Sequence, residues 1–582
     1  MNKNISLRKT LIATLAVASI TFSCKDSFLE VLPTGSLGEA QLTSKAGVEG
    51  TLLGAYSMML GKNFSRLAGP NNWVFGSILG GDANKGTDPG DYTTINPIQR
   101  YESDANNGDI ASTWLAKYEG ISRANSTIRL ATKSTMLSDA DKKRIIGEAR
   151  FIRGHFYFEL KKIFNSAPYI DETQDYGTGI EKIPNSPDFW GKIEADFKFA
   201  YDNLPETSDA AGRANKWAGA SYLAKAYLYQ KKFAEAKAIF DLVIANGKTT
   251  NGKKYNLVPK YAQIYNAEND NNEESIFATQ TSMNTGNTNN ANGYDDLNYP
   301  YNTGSDGPGN CCGFFQPSFE LVNSFRTDAK GLPLLDNSYN DASKAVKNDY
   351  GVASADAFTP DAGNLDPRLD HSVGRRGIQY LDWRDHPGAA WIRSQPYAGP
   401  YSPKKYVYYR SQENTLTDGS SWTRGYSVMN YTILRFADVL LMAAEAEIEV
   451  GDVNKAREYV NRVRTRAANT DSWVKNKAGN APAAKYVIGT YDTAWSDKEM
   501  ARTAVRFERK LELSGEGYRF FDLVRWGIAE KALNAYLAVD GKVLSIKFGG
   551  AKFTAGKNEY QPIPQSQIDI QGKDILKQNP GY

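Results

Sequence analysis

The chain has 582 residues, with 69 Lys and Arg against 66 Asp and Glu, so its formal charge at neutral pH is only +3. So even a balance asks for no nucleic acid and no anionic membrane surface. A chain of this length buries a large core without disulfide staples.

At the N-terminus, Lys3, Arg8 and Lys9 precede an apolar run from Leu11 to Phe22, followed by Ser23-Cys24. This reads as a secretory signal peptide over residues 1–23, too short for a stop-transfer helix. A cysteine directly after such a run resembles a lipoprotein processing site, at which Cys24 becomes the acylated first residue of a mature chain 24–582. Losing three basic residues leaves that chain near neutrality. No other stretch is long and apolar enough to cross a bilayer, so the lipid anchor is the expected membrane contact.

After a short tether, Leu42 to Leu60 reads as a helix. A loop-rich region follows, including Gly69-Pro70-Asn71-Asn72-Trp73 and Asp82 to Asp91. Helices are predicted over Ile110–Thr132, Asp139–Phe164 and Phe189–Leu204; in the second, Ile152, Phe156, Leu160 and Ile163 share one face. Ala218–Ala245 reads as a helical hairpin. Its Ala224, Tyr227, Ala236 and Phe240 follow the small–aromatic–small–aromatic order of a tetratricopeptide repeat.

From Lys254 to Thr423 helical periodicity fades, and Gly, Pro, Asn and aromatic residues crowd together. Ser275–Gln280 and Lys405–Tyr409 alternate as strands do. The aromatic content argues for order, so residues 254–423 read as a loop-rich insert.

Helices return at Asn430. Leu434, Val439, Leu441, Ala444 and Ile448 recur at helical spacing, Gly451-Asp452 breaks the run, and Val453, Ala456, Tyr459, Val460 and Val463 form a second stripe. So short a turn makes this an antiparallel pair with Ala444 and Ala456 at its closest approach. Ser496–Ser514 and Arg519–Tyr536 form a further pair. There Glu508, Arg509, Arg519, Asp522 and Arg525 lie beside Phe507, Phe520, Phe521 and Trp526, the pattern of a partly buried ion-pair network rather than a catalytic set. The expected organisation is one mainly α domain: a helical scaffold over 42–245 and 430–536, the insert 254–423, and a tail 537–582.

Four separated stretches carry a family resemblance. They are Phe28-Leu29-Glu30 with Pro33; Tyr431 to Met442 leading to Glu445-Ala446; Glu516 to Gly527, reading EGYRFFDLVRWG; and Tyr560-Gln561-Pro562-Ile563-Pro564 with Gln578 to Tyr582. With these the chain resembles the SusD/RagB family of outer-membrane nutrient-binding lipoproteins. Leu511 and Gly515 depart from the commoner residues of that pattern. The resemblance implies a SusD-like fold, in which four tetratricopeptide-like helix pairs support a loop-rich, short-stranded ligand-binding side. It also implies a partner, a TonB-dependent outer-membrane transporter of the SusC type over which the lipoprotein sits as a lid. Lys25-Asp26 is similar to the charged tags that send such lipoproteins to the cell surface. The family's ligands are mostly glycans and sometimes peptides.

Enzymatic signatures are absent: there is no HExxH, GxSxG, GxxxxGK[ST] or CxxC. His155, His371 and His386 are too scattered for a metal site. Asp295-Asp296 is the one pair to weigh as glycoside-hydrolase acids, but adjacent side chains in an extended loop point apart. Asp82, Asn84, Asp88 and Asp91 offer oxygen ligands without EF-hand spacing, which reads as turn chemistry. No enzyme activity, metal or cofactor is expected.

A sugar site needs flat aromatic faces for the apolar C–H side of a pyranose and Asn, Asp or Arg for its hydroxyls, whereas a peptide site favours apolar pockets or a strand edge. The insert's mixture favours sugar. Aromatics outside any helical stripe are the candidate contacts: Trp73, Tyr294, Tyr299, Tyr301, Trp383 and Trp391. Cys311 and Cys312, followed by Phe314-Phe315, form either a small oxidised ring or two free thiols in a Gly-rich turn.

Overall fold

The computed structural model describes residues 38–582 except 62, 63, 294, 310, 421 and 425. The signal peptide, Cys24 and Tyr294 lie outside the described residues.

Helix α1 (Lys45–Ser57) starts later than the sequence suggests, because the Ser44 hydroxyl caps it by accepting from the Gly47 amide at 3.1 Å. Helices α2 (Gly108–Lys133) and α3 (Asp139–Phe164) are the longest pair. In α3 the Ser138 hydroxyl accepts from the Asp141 amide, and Asp139 and Asp141 at one end with Lys161 and Lys162 at the other oppose the helix dipole. Gly120 of α2 faces the Phe156 ring, and a Cβ there would come within 2.2 Å of it. The helices therefore meet this closely only because position 120 lacks a side chain. Helices α4 (Trp190–Asn203), α5 (Lys216–Tyr229) and α6 (Phe233–Asn246) follow, each packed on its predecessor.

The return to the scaffold differs from the sequence reading. Leu434, expected in a helix, lies in strand β4 (Tyr431–Arg435), which pairs antiparallel with β2 (Ser275–Thr279); helix α7 begins at Phe436 and runs to Val450. The partner strand is remote in sequence, so local periodicity could not reveal the pairing. Helix α7 is buried around most of its circumference and packs on α6, α8 (Val453–Ala467) and α9 (Lys498–Glu512). Ala444 and Ala456 are fully buried. The helix expected over Arg519–Tyr536 is divided into α10 (Arg519–Arg525) and α11 (Ala529–Val543), with Gly527 between them at φ +71°. Lys405–Tyr409 is not a strand; the short ladder there joins Val373–Gly374 to Ser402–Pro403.

Two ladders tie the insert to the scaffold. One is β2 with β4. The other pairs β1 (Ala83–Gly86) with β3 (Phe314–Pro317), Ala83 opposite Pro317 and Gly86 opposite Phe314. One apolar core runs from Val48 to Leu576 and includes Phe314, Phe325, Leu365 and Leu369 of the insert. A buried charge network adds to it. Arg435 reaches Glu274 at 2.7 Å, Glu512 at 2.7 Å and Glu516 at 2.8 Å. Arg509 holds Asp438 at 2.7 Å and Asp522 at 3.0 Å, and Arg525 holds Glu445 at 2.6 Å. Among the described residues no helix is long and apolar enough to cross a membrane.

Candidate ligand-binding face

Four of the candidate aromatics are packed inside. Trp73 starts a one-turn π-helix (Trp73–Ile78), donates its indole N–H to the Arg66 carbonyl at 3.2 Å, and meets Phe314 and Phe315 edge-on. Tyr299, Trp383 and Trp391 join Tyr380, Val407 and Tyr408 in a small core of the insert's own. All four are at most 6% exposed. For the three in the insert the physical reason is length: a segment without long helices must bury its own aromatics to hold its loops, and all four have apolar neighbours in sequence to bury against. They serve as floor and give a ligand no open face.

Tyr301 is only half-buried. Its amide donates to the Trp391 carbonyl at 2.9 Å, and the Arg393 guanidinium lies 5.4 Å from its ring centre. Arg393 in turn pairs with Asp88 at 2.7 Å and Asp91 at 2.6 Å. Of the four oxygen-bearing residues of that loop, Asp82 accepts from the Gly515 amide and Asn84 contacts Lys547. Their side chains are thus committed to the fold, and among the described residues no cluster of three or more His, Cys, Asp or Glu is arranged to hold a metal ion. Burial pushes His155, His371 and His386 down to about 3, so all three stay neutral.

Trp422 is an exposed aromatic, at 60% exposure. Its edge is fixed: the indole N–H donates to the Tyr426 hydroxyl at 2.6 Å and lies 3.3 Å from Asp296. Tyr426 donates to Asp296 at 2.8 Å, and Arg66 grips the same carboxylate through two bonds of 2.8 Å. A flat ring therefore stands in solvent on a buried, charge-paired base, with the one-third-exposed Arg66 beside it. Asp295 points into a different set, accepting from Asn71 at 2.6 Å, Asn298 at 3.2 Å and Asn292 at 3.3 Å; burial raises its carboxyl to about 6. The two acids are thus built into separate networks. The sequence reading passed over Trp422, yet a signal was present: Gly419, Ser420, Ser421, Thr423, Arg424 and Gly425 supply no apolar neighbour for it to bury against.

Cys311 and Cys312 lie side by side with their sulfurs together, Cys311 partly exposed and Cys312 buried. The next residue, Gly313, accepts from the Thr87 amide at 2.6 Å and backs onto Tyr301, so the pair sits beside the Tyr301–Arg393 part of the face.

Residues 273–582, more than half of the chain, match the SusD family. The chain belongs to the SusD family. Residues 28–228 match a second SusD-like family, described as starch-binding and associating with the outer membrane. A SusD-like protein P2 of Formosa agariphila is 23% identical over 99% of this chain and 100% of its own length. Among solved structures, a SusD superfamily protein of Bacteroides vulgatus superposes with a TM-score of 0.67 at 21% identity, covering 92% of this chain and 99% of that one. A laminarin-binding SusD-like protein gives 0.64 at 22% identity, covering 93% and 100%. A surface glycan-binding protein A of Bacteroides thetaiotaomicron, solved with laminarihexaose, gives 0.61 at 18% identity, covering 92% and 99%. The SusD fold of this chain is thus mainly helical, with short two-stranded ladders.

Proposed function

We propose that this SusD-family chain is a lipoprotein of the outer-membrane surface that binds a glycan and passes it to a TonB-dependent transporter. The observation that supports glycan binding is Trp422, an exposed indole anchored at its edge and flanked by Arg66. Its open face suits the apolar side of a pyranose, and the neighbouring guanidinium suits the hydroxyls. Tyr301 and Arg393 supply a second aromatic and cation. Relatives described as binding starch or laminarin point the same way. A lipid-anchored globule cannot itself carry a nutrient across a membrane, which is the reason for the transporter. Cys24 is the proposed acylation site, placed at the end of the apolar leader. Cys24→Ala should abolish fatty-acid labelling and release the chain from the membrane fraction.

A second reading has its own observation. A groove of about 350 Å³ runs between Leu53, Met59 and Leu60 and the β2 residues Phe277 to Thr279. An apolar groove along a strand suits an extended peptide. One experiment separates the readings: the full chain in detergent micelles is screened against a glycan array and a peptide library. Glycan binding that needs Trp422 supports the first. Peptide binding alone, sensitive to Leu53, replaces it. The transporter is tested by co-purification in mild detergent, and a tagged chain that comes out alone where other such pairs stay together removes that part.

A further inference from the structure

Arg506 and Arg519 stand apart from the charge network around them. Their neighbours Glu508, Arg509, Asp522 and Arg525 all form buried ion pairs. Neither the Arg506 nor the Arg519 side chain makes a hydrogen bond or ion pair with any described residue. Both line a cavity of about 430 Å³, within the size range of small-molecule sites. Its wall includes Phe507, Trp526 and Tyr536.

The charges in this cavity do not cancel. Glu320, the acid on its wall, is already taken: Lys510 reaches its two oxygens at 2.6 Å and 2.8 Å, and Tyr339 donates to it at 2.6 Å. Arg506 is half-buried and stacks on Trp526 with its guanidinium 5.0 Å from the ring. Burial lowers its proton affinity; Glu445 and Glu449 offset this in part, while Arg525 and Arg502 lower it further. Arg506 and Trp526 also border a smaller cavity of about 240 Å³, where Arg525 is paired with Glu445 and Arg502 with Glu449. Arg519 lines only the larger of the two cavities, which is therefore the one that both arginines share. Leaving two guanidinium groups partly desolvated without an acceptor is costly, and an incoming carboxylate removes that cost.

We propose that this cavity is a second ligand site, for an organic anion whose carboxylate is held by Arg506 and Arg519 and whose body lies against Phe507, Trp526 and Tyr536. The site uses none of the residues of the Trp422 face and does not depend on that face binding a glycan. A planar aromatic acid and an acidic sugar share the required chemistry, a carboxylate on a body that can lie flat.

The test is titration calorimetry on the full chain in detergent micelles, with benzoate, glucuronate, sulfate and neutral benzamide as probes. At least one of the two carboxylates should bind at a single site and raise the melting temperature, and benzamide should not bind. Whichever of benzoate and glucuronate binds more tightly identifies the source. Arg506→Gln and Arg519→Gln should each weaken binding at least tenfold and together remove it. Neither change breaks an ion pair, so the parent melting temperature should persist. Ala535 lines the same cavity, so Ala535→Phe narrows it while leaving both guanidinium groups in place and should also abolish binding. Trp422→Ala should leave carboxylate binding unchanged. The proposal is overturned if no carboxylate binds, if benzamide binds equally, or if binding survives Ala535→Phe or the double substitution. Sulfate binding as tightly as the carboxylates would overturn the role given to the apolar wall.

Discussion

Arg368 of the insert and Glu508 of α9 meet at 2.6 Å with both side chains fully buried. Arg464 takes the other oxygen of Glu508 at 2.8 Å, and Arg368 also holds Asp366 at 2.7 Å and Glu512 at 3.0 Å. The insert is therefore locked to the helices by charge as well as by its two ladders. Removing one partner strands the others in a dry site. Glu508→Gln should cost about 3–5 kcal/mol in urea unfolding. A loss under about 1 kcal/mol would show that the network relaxes freely around the change.

The same network predicts acid lability. Burial alone would raise the Glu512 carboxyl, but Arg466, Arg435 and Arg368 outweigh it and hold the group at about 2, against an ordinary 4.5. A depressed carboxylate contributes stability above its unfolded value and loses it as pH falls towards its folded one. Stability should therefore drop between about pH 4.5 and 2, by roughly 3 kcal/mol from this group. Unfolding curves recorded across that window check it, and Glu512→Gln should be less stable at neutral pH with a flatter acid limb.

Trp422 and Trp391 should behave oppositely. Trp422→Ala removes an exposed ring and should weaken glycan binding roughly ten- to a hundredfold, about 1–3 kcal/mol, with no change in melting temperature. Trp391 is packed edge-on against Tyr380 and His386. Trp391→Ala should cost about 3–5 kcal/mol of stability. Calorimetry with the best glycan of the array, beside thermal melts, reads both. Loss of binding in Trp422→Ala only through unfolding would remove the face from the binding role.

Cys311 and Cys312 are expected to form a disulfide ring in an oxidising environment. Intact-mass measurement after alkylation without reduction should show no added label on either sulfur. Two labels would make them free thiols.

How much was legible in the chain depends on the range of the interaction. The helices from α1 to α6 follow local periodicity and local caps such as Ser44 and Ser138, so their existence was readable, and α3 matched the expected Asp139–Phe164. The family was readable too, because stretches such as Glu516–Gly527 carry buried charges and turns that this packing demands. Gly517 shows why: at φ +79°, a Cβ there would lie 2.3 Å from the Asn71 carbonyl oxygen, a contact between distant parts of the chain that leaves its mark as a local glycine. Composition alone said that the insert holds aromatics and polar groups in the mixture a binding surface needs. It could not say which aromatics face outward, because that is decided by which loops close over which. Tertiary structure decided that β4 precedes α7, through pairing with the remote β2, and that Trp73, Tyr299, Trp383 and Trp391 are spent on holding loops together. It also left Trp422 in solvent and the Arg506 and Arg519 side chains without an ion-pair partner among the described residues. Burial and ion pairing depend on residues far apart in sequence, and only the closed fold sets which of them meet.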